Sequence, residues 1–210
     1  MLVYHLRMSN LSDSEKKRLF SLFDNVKQED RSVGLNRSSN SEVLIVDFMN
    51  TFIRAFMASP SLNSNGNHTG GIAGCLKSIG YAAKLINPTK IVVVSDGQGG
   101  SLKRRKIYPQ YKSGRKTKIR LNRAYEDTTT PDTEDKNLKK QLLRTVQYLD
   151  KLPVTTMAID HIEADDTIAY LATDYFKNSN VTIMSADKDF LQLADDRVKI
   201  WSPTKKKLYG

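Results

Sequence analysis

Cysteine occurs once in the 210 residues, at Cys75. A lone thiol excludes an internal disulfide and any Cys-rich zinc site, and it fits a reducing compartment, with burial in the core as its expected role. Histidine is almost as scarce. His5, His68 and His161 are widely separated, and only His161 lies near an acidic cluster, where it reads as a surface residue rather than a ligand. No run approaches the roughly 18 apolar residues of a membrane span, and the N-terminus lacks the apolar centre of a secretory signal. These absences lead to the expectation of a cytoplasmic protein with no membrane partner.

Basic residues are abundant instead: 33 against 23 acidic ones, a formal charge of +10. Such an excess suits an anionic partner, with nucleic acid ahead of a membrane surface. Hydrophobic residues at 39% and charged residues at 27% fit a soluble globular protein, and 210 residues are enough for one sizeable core rather than two ordinary domains. Against this basic background stand two acidic clusters, Glu163-Ala164-Asp165-Asp166 and Asp187-Lys188-Asp189. Each follows an apolar, β-prone run, which places it where a strand ends. Carboxylates crowded together repel one another unless a cation holds them.

Residues 1–41 read as an appendage. Ser12-Asp13-Ser14-Glu15 has the pattern of a capping box, and Leu19, Phe20, Phe23 and Val26 follow at helical spacing. Residues 27–41 are polar and read as a linker, so the helix docks either on the main domain or on a partner. From residue 42 to 210 apolar runs alternate with amphipathic ones. Residues 43–46 predict a buried strand ending at Asp47, followed by a helix through Phe48, Phe52 and Phe56. Residues 69–86 predict a helix with Ile72, Leu76, Ile79, Ala83 and Ile86 inward, stopped by Asn87-Pro88. A second strand at 91–94 ends at Ser95-Asp96. Pro131 with Asp132, Glu134 and Asp135 opens a helix carried by Leu138, Leu142, Val146 and Leu149 to about Leu152. A third strand at 154–159 leads to Glu163, a helix with Ile168, Ala169, Leu171 and Ala172 follows, and a fourth strand at 181–184 leads to Asp187. Residues 198–201 and 206–209 pair as a closing hairpin. The pattern predicts an α/β fold with a mostly parallel central sheet and helices on both faces.

In such a sheet ligands bind beyond the C-terminal ends of the strands. Four separated stretches deliver acids to that end: Asp47, Asp96, the Glu163 cluster and the Asp187 cluster. Taken singly, Asp47 could cap its helix, and Asp165 and Asp166 could complement a helix dipole. Four groups converging on one place are harder to explain that way. Oxygen donors without His or Cys suit Mg²⁺, with Mn²⁺ as a substitute, rather than zinc. Asp47, Asp96, Glu163, Asp165, Asp166, Asp187 and Asp189 could hold two ions about 4 Å apart, an arrangement suited to in-line phosphodiester displacement.

Directly after Asp96 comes a basic, tyrosine-bearing segment with Lys103, Arg104, Arg105, Tyr108, Tyr111, Lys112, Arg115, Lys116 and Lys118. On a helix, Arg104, Tyr108, Tyr111, Lys112 and Arg115 share one face. Basic groups there can hold backbone phosphates, and tyrosine rings can stack on unpaired bases. Alone the segment would be an ordinary solvated surface; beside a metal site it reads as a grip on the substrate.

With these residues together, the chain resembles the phage and bacterial 5′-nucleases, the flap-endonuclease family with a PIN-like core. The resemblance covers roughly residues 43–210 and rests on four stretches. Val46-Asp47-Phe48-Met49-Asn50 with Arg54 resembles the first metal motif. Asp96-Gly97, Arg104 and Pro109-Gln110-Tyr111-Lys112-Ser113-Gly114-Arg115 resemble the second metal ligand and the helical gateway. Glu163 to Ala169 and Ser185 to Leu193 resemble the last two motifs. The ending Lys199-Ile200-Trp201-Ser202-Pro203, with lysines after it, is especially similar to the ribonuclease H branch of T-even-like phages. The resemblance implies a Mg²⁺-dependent 5′→3′ exonuclease and flap endonuclease that removes RNA primers during DNA replication. It would act as a monomer on flapped or nicked DNA and RNA–DNA hybrids in a host's cytoplasm, alongside replication proteins such as a single-strand-binding protein. It further implies Asp47, Asp96, Glu163, Asp165 and Asp166 around one metal region and Asp187 and Asp189 at the second. Lys112 would place the scissile phosphate, and Arg54, Arg104, Arg105, Tyr108, Tyr111, Arg115 and Lys116 would contact nucleic acid. A flexible arch is implied at about residues 100–135. Family members usually continue into a helix–three-turn–helix module that grips duplex DNA, and the sequence to Gly210 is expected to lack it. Two other readings stay open: a nucleic-acid-binding module that depends on a partner for catalysis, and a PIN-type endoribonuclease. The gateway after Asp96 matches the 5′-nucleases more closely than the latter.

Overall fold

A computed structural model describes residues 40–111, 122–124 and 130–210. The helix and linker read at 1–41 lie outside the described residues, save Asn40 and Ser41, as do residues 112–121 and 125–129 of the expected arch.

Strand β1 (Glu42–Asp47) is the middle of the domain. Val43, Leu44, Ile45 and Val46 are all fully buried, which is what an uninterrupted apolar run requires of a strand covered on both faces. It is flanked on one side by β2 (Lys90–Asp96) and β3 (Thr155–Ile159), and on the other by β4 (Asn180–Met184), β5 (Val198–Ser202) and β6 (Lys207–Tyr209). The order is β3-β2-β1-β4-β5-β6. All neighbours are parallel except β5 and β6, which form the expected closing hairpin. The chain steps from β1 outward to β3 and then returns to the other side of β1, so the direction of winding reverses between β1 and β4.

Helices cover both faces. Leu44 and Val46 face α1 (Phe48–Ala58), α2 (Gly70–Ile86) and α4 (Pro131–Leu149). Val43 and Ile45 face α5 (Ala164–Tyr170), which continues through a π-helical turn (Leu171–Tyr175), and a short 3₁₀ helix (Lys188–Leu193). Phe48, Phe52 and Phe56 stack along the inner side of α1 with centroids 5.9 and 6.3 Å apart. Helix α2 is turned slightly from its expected face, with Cys75, Ile79 and Ala82 innermost. Gly71 lets α2 lie close against α1 and α4, since a Cβ there would come within 2.9 Å of the Phe52 ring and of Gln141. Cys75 is buried as expected, and desolvation pushes its thiol up to about 12.

Two expectations need correction. The third strand is not a buried apolar element: it begins at Thr155, forms the sheet edge and is largely exposed, since among the described residues β2 alone pairs with it. The gateway is not one continuous helix either. Helix α3 spans Leu102–Ile107, and Tyr108 is extended at φ −131° and ψ 92°. Pro109 lacks an amide proton and disfavours a helical conformation in the residue before it.

Asn122 is fully buried. Its amide donates to the Phe56 and Ser59 carbonyls at 2.6 and 2.9 Å, while Arg123 N donates to the Met57 carbonyl at 3.0 Å. These bonds hold residues 122–123 against the end of α1. No described helix is long and apolar enough to cross a membrane.

Phe52→Ala is expected to lower stability by about 3–5 kcal/mol, the cost of a cavity in a tightly packed core. Urea unfolding of the two proteins measures it.

Candidate active site

The acids gather where the winding reverses, the place at which open α/β sheets bind ligands. Asp47 ends β1, caps α1 and is only 6% exposed. One of its oxygens accepts the Asn50 amide at 3.2 Å and the other accepts the Ser185 hydroxyl at 2.8 Å. The Asn50 side chain accepts the Ala186 amide at 3.1 Å, and Asp187 N donates to Ser185 Oγ at 3.1 Å. Asp187 in turn caps the 3₁₀ helix by accepting the Asp189 amide at 3.0 Å. The ends of β1 and β4 are therefore joined by side chains across the crevice. Burial pushes the Asp47 carboxyl up to about 6; the Ser185 and Asn50 hydrogen bonds oppose this, and the charges of Asp165 and Asp187 add to it.

A second group forms at the ends of β2 and β3. Asp96 accepts the Ala164 amide at 2.7 Å and so satisfies the start of α5. Gly97 follows because the backbone leaves no room: a Cβ there would lie 1.9 Å from the Ile159 carbonyl oxygen. Glu163, 3% exposed, precedes α5, with Asp165 and Asp166 exposed in its first turn. Tyr111 donates its hydroxyl to Glu163 Oε2 at 2.9 Å. Arg104 binds the same Glu163 oxygen through Nη1 and Asp166 Oδ1 through Nη2, the latter at 2.6 Å.

Among the nucleic-acid contacts expected from sequence, Arg104 and Tyr111 thus lie on the acids. Arg54 is exposed on α1 and donates to the Thr204 hydroxyl of the β5–β6 turn. Arg105 and Tyr108 are exposed, with the Tyr108 hydroxyl donating to Gln110 at 2.9 Å. Lys112, Arg115 and Lys116 lie outside the described residues. Sequence reasoning gave no role to Asn50 and Ser185. Their signal was positional: Asn50 stands three residues after a strand-end aspartate, and Ser185 follows directly on a buried strand.

The profile of the 5′-3′ exonuclease N-terminal resolvase-like domain matches residues 42–210. The chain belongs to that family. It is 34% identical over 161 residues to a 5′-3′ exonuclease of Aquifex aeolicus, covering 76% of this chain and 50% of the relative. With a 5′-3′ exonuclease of Bacillus subtilis it shares 28% over 167 residues, 77% of this chain and 51% of the relative. The chain spans about half the length of these curated relatives. Among solved structures, a bacteriophage T5 flap endonuclease in a complex with DNA and metal ions aligns with TM-score 0.56 at 25% identity, covering 80% of this chain and 57% of that one.

For a member of the 5′-3′ exonuclease family, the donor chemistry matters most. The gathered groups are all carboxylates, which fit hard divalent ions, and the upward shift of Asp47 shows that Asp165 and Asp187 lie within electrostatic reach of it. Among the described residues no three of these acids close on a single point as a ligand set. Arg104 pairs with both Glu163 and Asp166 and offsets part of their charge.

Asp47 titrates near 6 in the folded chain against an ordinary 3.8. The metal-free protein is thus favoured while Asp47 is protonated, and loses that advantage as pH rises from about 4 through 6, by about 3 kcal/mol in full. Asp47→Asn removes this slope. In EDTA the two proteins should have similar urea midpoints near pH 4, and the variant should be the more stable at about pH 8. An unchanged difference between the two pH values would contradict the shift.

Proposed function

We propose that this chain carries the catalytic core of a divalent-metal-dependent 5′-nuclease acting on flapped or nicked nucleic acid. The observation that supports it best is that carboxylates stand at the C-terminal ends of β1, β2 and β4 and at the start of α5, on the side of the sheet where the winding reverses, in a chain of this family. Asp47, Asp96, Glu163, Asp165 and Asp166 would hold one ion and Asp187 and Asp189 a second, Mg²⁺ by preference and Mn²⁺ as a substitute. Bound ions supply an activated water and neutralise the leaving oxygen in phosphodiester hydrolysis. The chain's own residues do the rest. Ser185 and Asn50 fix Asp47 so that its charge faces the crevice. Arg54 and Arg105 offer phosphate contacts and Tyr108 a stacking surface; Lys112 would place the scissile phosphate, and Arg115 and Lys116 would contact nucleic acid. Removal of RNA primers during replication, the activity of the ribonuclease H branch, is the reading of the Trp201-Ser202-Pro203 ending, with monomeric action beside a single-strand-binding protein.

Incubation with a 5′-flap DNA is expected to give cleavage with Mg²⁺ or Mn²⁺ and none with EDTA. Binding without hydrolysis in either metal, unchanged by Asp187→Ala, would leave a binding module only. Cutting of single-stranded RNA regardless of a free 5′ end would replace the reading with an endoribonuclease.

Asp165→Asn and Asp187→Asn should each lower the cleavage rate by about 100-fold or more while changing flap affinity by less than about five-fold, since they act on the reacting phosphate. Single-turnover kinetics with parallel binding titrations separate the two effects. Equal losses in rate and affinity would make these acids structural.

A further inference from the structure

The gateway residues Arg104 and Tyr111, expected from sequence to contact nucleic acid, turn onto the acids instead. Arg104 rises from α3, a helix with no buried residue, and its guanidinium bridges Glu163 and Asp166. Tyr111 supports the same arrangement twice, through its hydroxyl on Glu163 and through its ring, whose centre lies 5.6 Å from the guanidinium carbon. A buried carboxylate such as Glu163 is costly without a compensating charge. Burial works against the Arg104 charge as well, but the hydrogen bond to Asp166 and the charges of Asp166 and Glu163 outweigh it and hold the side chain above its ordinary value.

We propose that Arg104 is an internal counter-ion of the acidic site, exchanged for divalent ions and thereby released to a backbone phosphate of the nucleic acid. This rests on the metal-dependent reading above and adds the order of events to it. A guanidinium presents its donors in one planar fork. While that fork is spread over Glu163 and Asp166 it is not available for bidentate binding of a phosphate. Once the acids are neutralised otherwise, Arg104 gives up both contacts and becomes a phosphate donor beside the reacting bond. Metal and nucleic acid then favour each other's binding through one side chain, and by linkage the coupling is equal in both directions. Tyr111 loses its bonded carboxylate at the same step.

Two titrations of the full chain test this. Mn²⁺ binding without nucleic acid, followed by the signal of the free ion in electron paramagnetic resonance, is expected to be about five-fold or more tighter in Arg104→Gln than in the wild type, because the competing cation is gone. Binding of a 5′-flap DNA is then compared in Ca²⁺ and in EDTA. The wild type should gain about five-fold or more from Ca²⁺, and Arg104→Gln should lose most of that gain. Tyr111→Phe should shift Mn²⁺ affinity in the same direction by less. Equal or weaker Mn²⁺ binding by Arg104→Gln would overturn the counter-ion role and make Arg104 a support of the acids. Absence of Mn²⁺ binding in both proteins would overturn the metal-site reading itself. Matching thermal midpoints confirm that neither substitution disturbs the fold.

Discussion

The hydrogen bond from Ser185 to Asp47 crosses the one place where the chain reverses its winding, and much of the site depends on it. Asp47 is a carboxylate at the end of the most buried strand, and little of it is open to water. Ser185 and the Asn50 amide replace that solvation, and the Asn50 side chain returns the favour by holding Ala186. Without these bonds the end of β1 would carry a desolvated acid facing two other acids. With them, β1 and β4 stay in register at their C-terminal ends, and α1 starts from a fixed point. Packing of the phenylalanine ladder and placement of the acids are thus parts of one arrangement.

Most of the fold was legible because apolar runs are hard to disguise. Four residues in succession without a polar one, as at 43–46, have only a doubly covered strand to go to. The π-helical turn at Leu171–Tyr175 and the exposed third strand were not legible. Both depend on what lies beside them in space: Met157 and its neighbours look like any short strand, while among the described residues the sheet has no member beyond β3. Spacing alone put Arg104 and Tyr111 on one helical face, and Pro109 between them forbade the helix.

The acidic site was legible in membership and not in arrangement. Which carboxylates gather follows from strand order, and strand order from the alternation of elements. How each is satisfied does not, because a carboxylate may be held by a backbone amide, a hydroxyl or an arginine, and the choice depends on distances across the crevice. Asp96 illustrates this. Its residue type suggested a metal ligand, and in the folded chain it also closes the first turn of α5. Arg104 illustrates the opposite case, a residue read as facing the substrate that faces the protein.

Asn122 anchors the chain on the near side of α4, while Tyr111 is tied to Glu163 on the far side of the intervening segment. Both posts are set by the domain, and the length of chain between them is not. Joining two fixed points through a longer stretch of chain costs only about 0.6 kcal/mol for each doubling of its length. Variants with more or fewer residues between Tyr111 and Asn122 are therefore expected to keep both contacts, and with them the placement of Glu163.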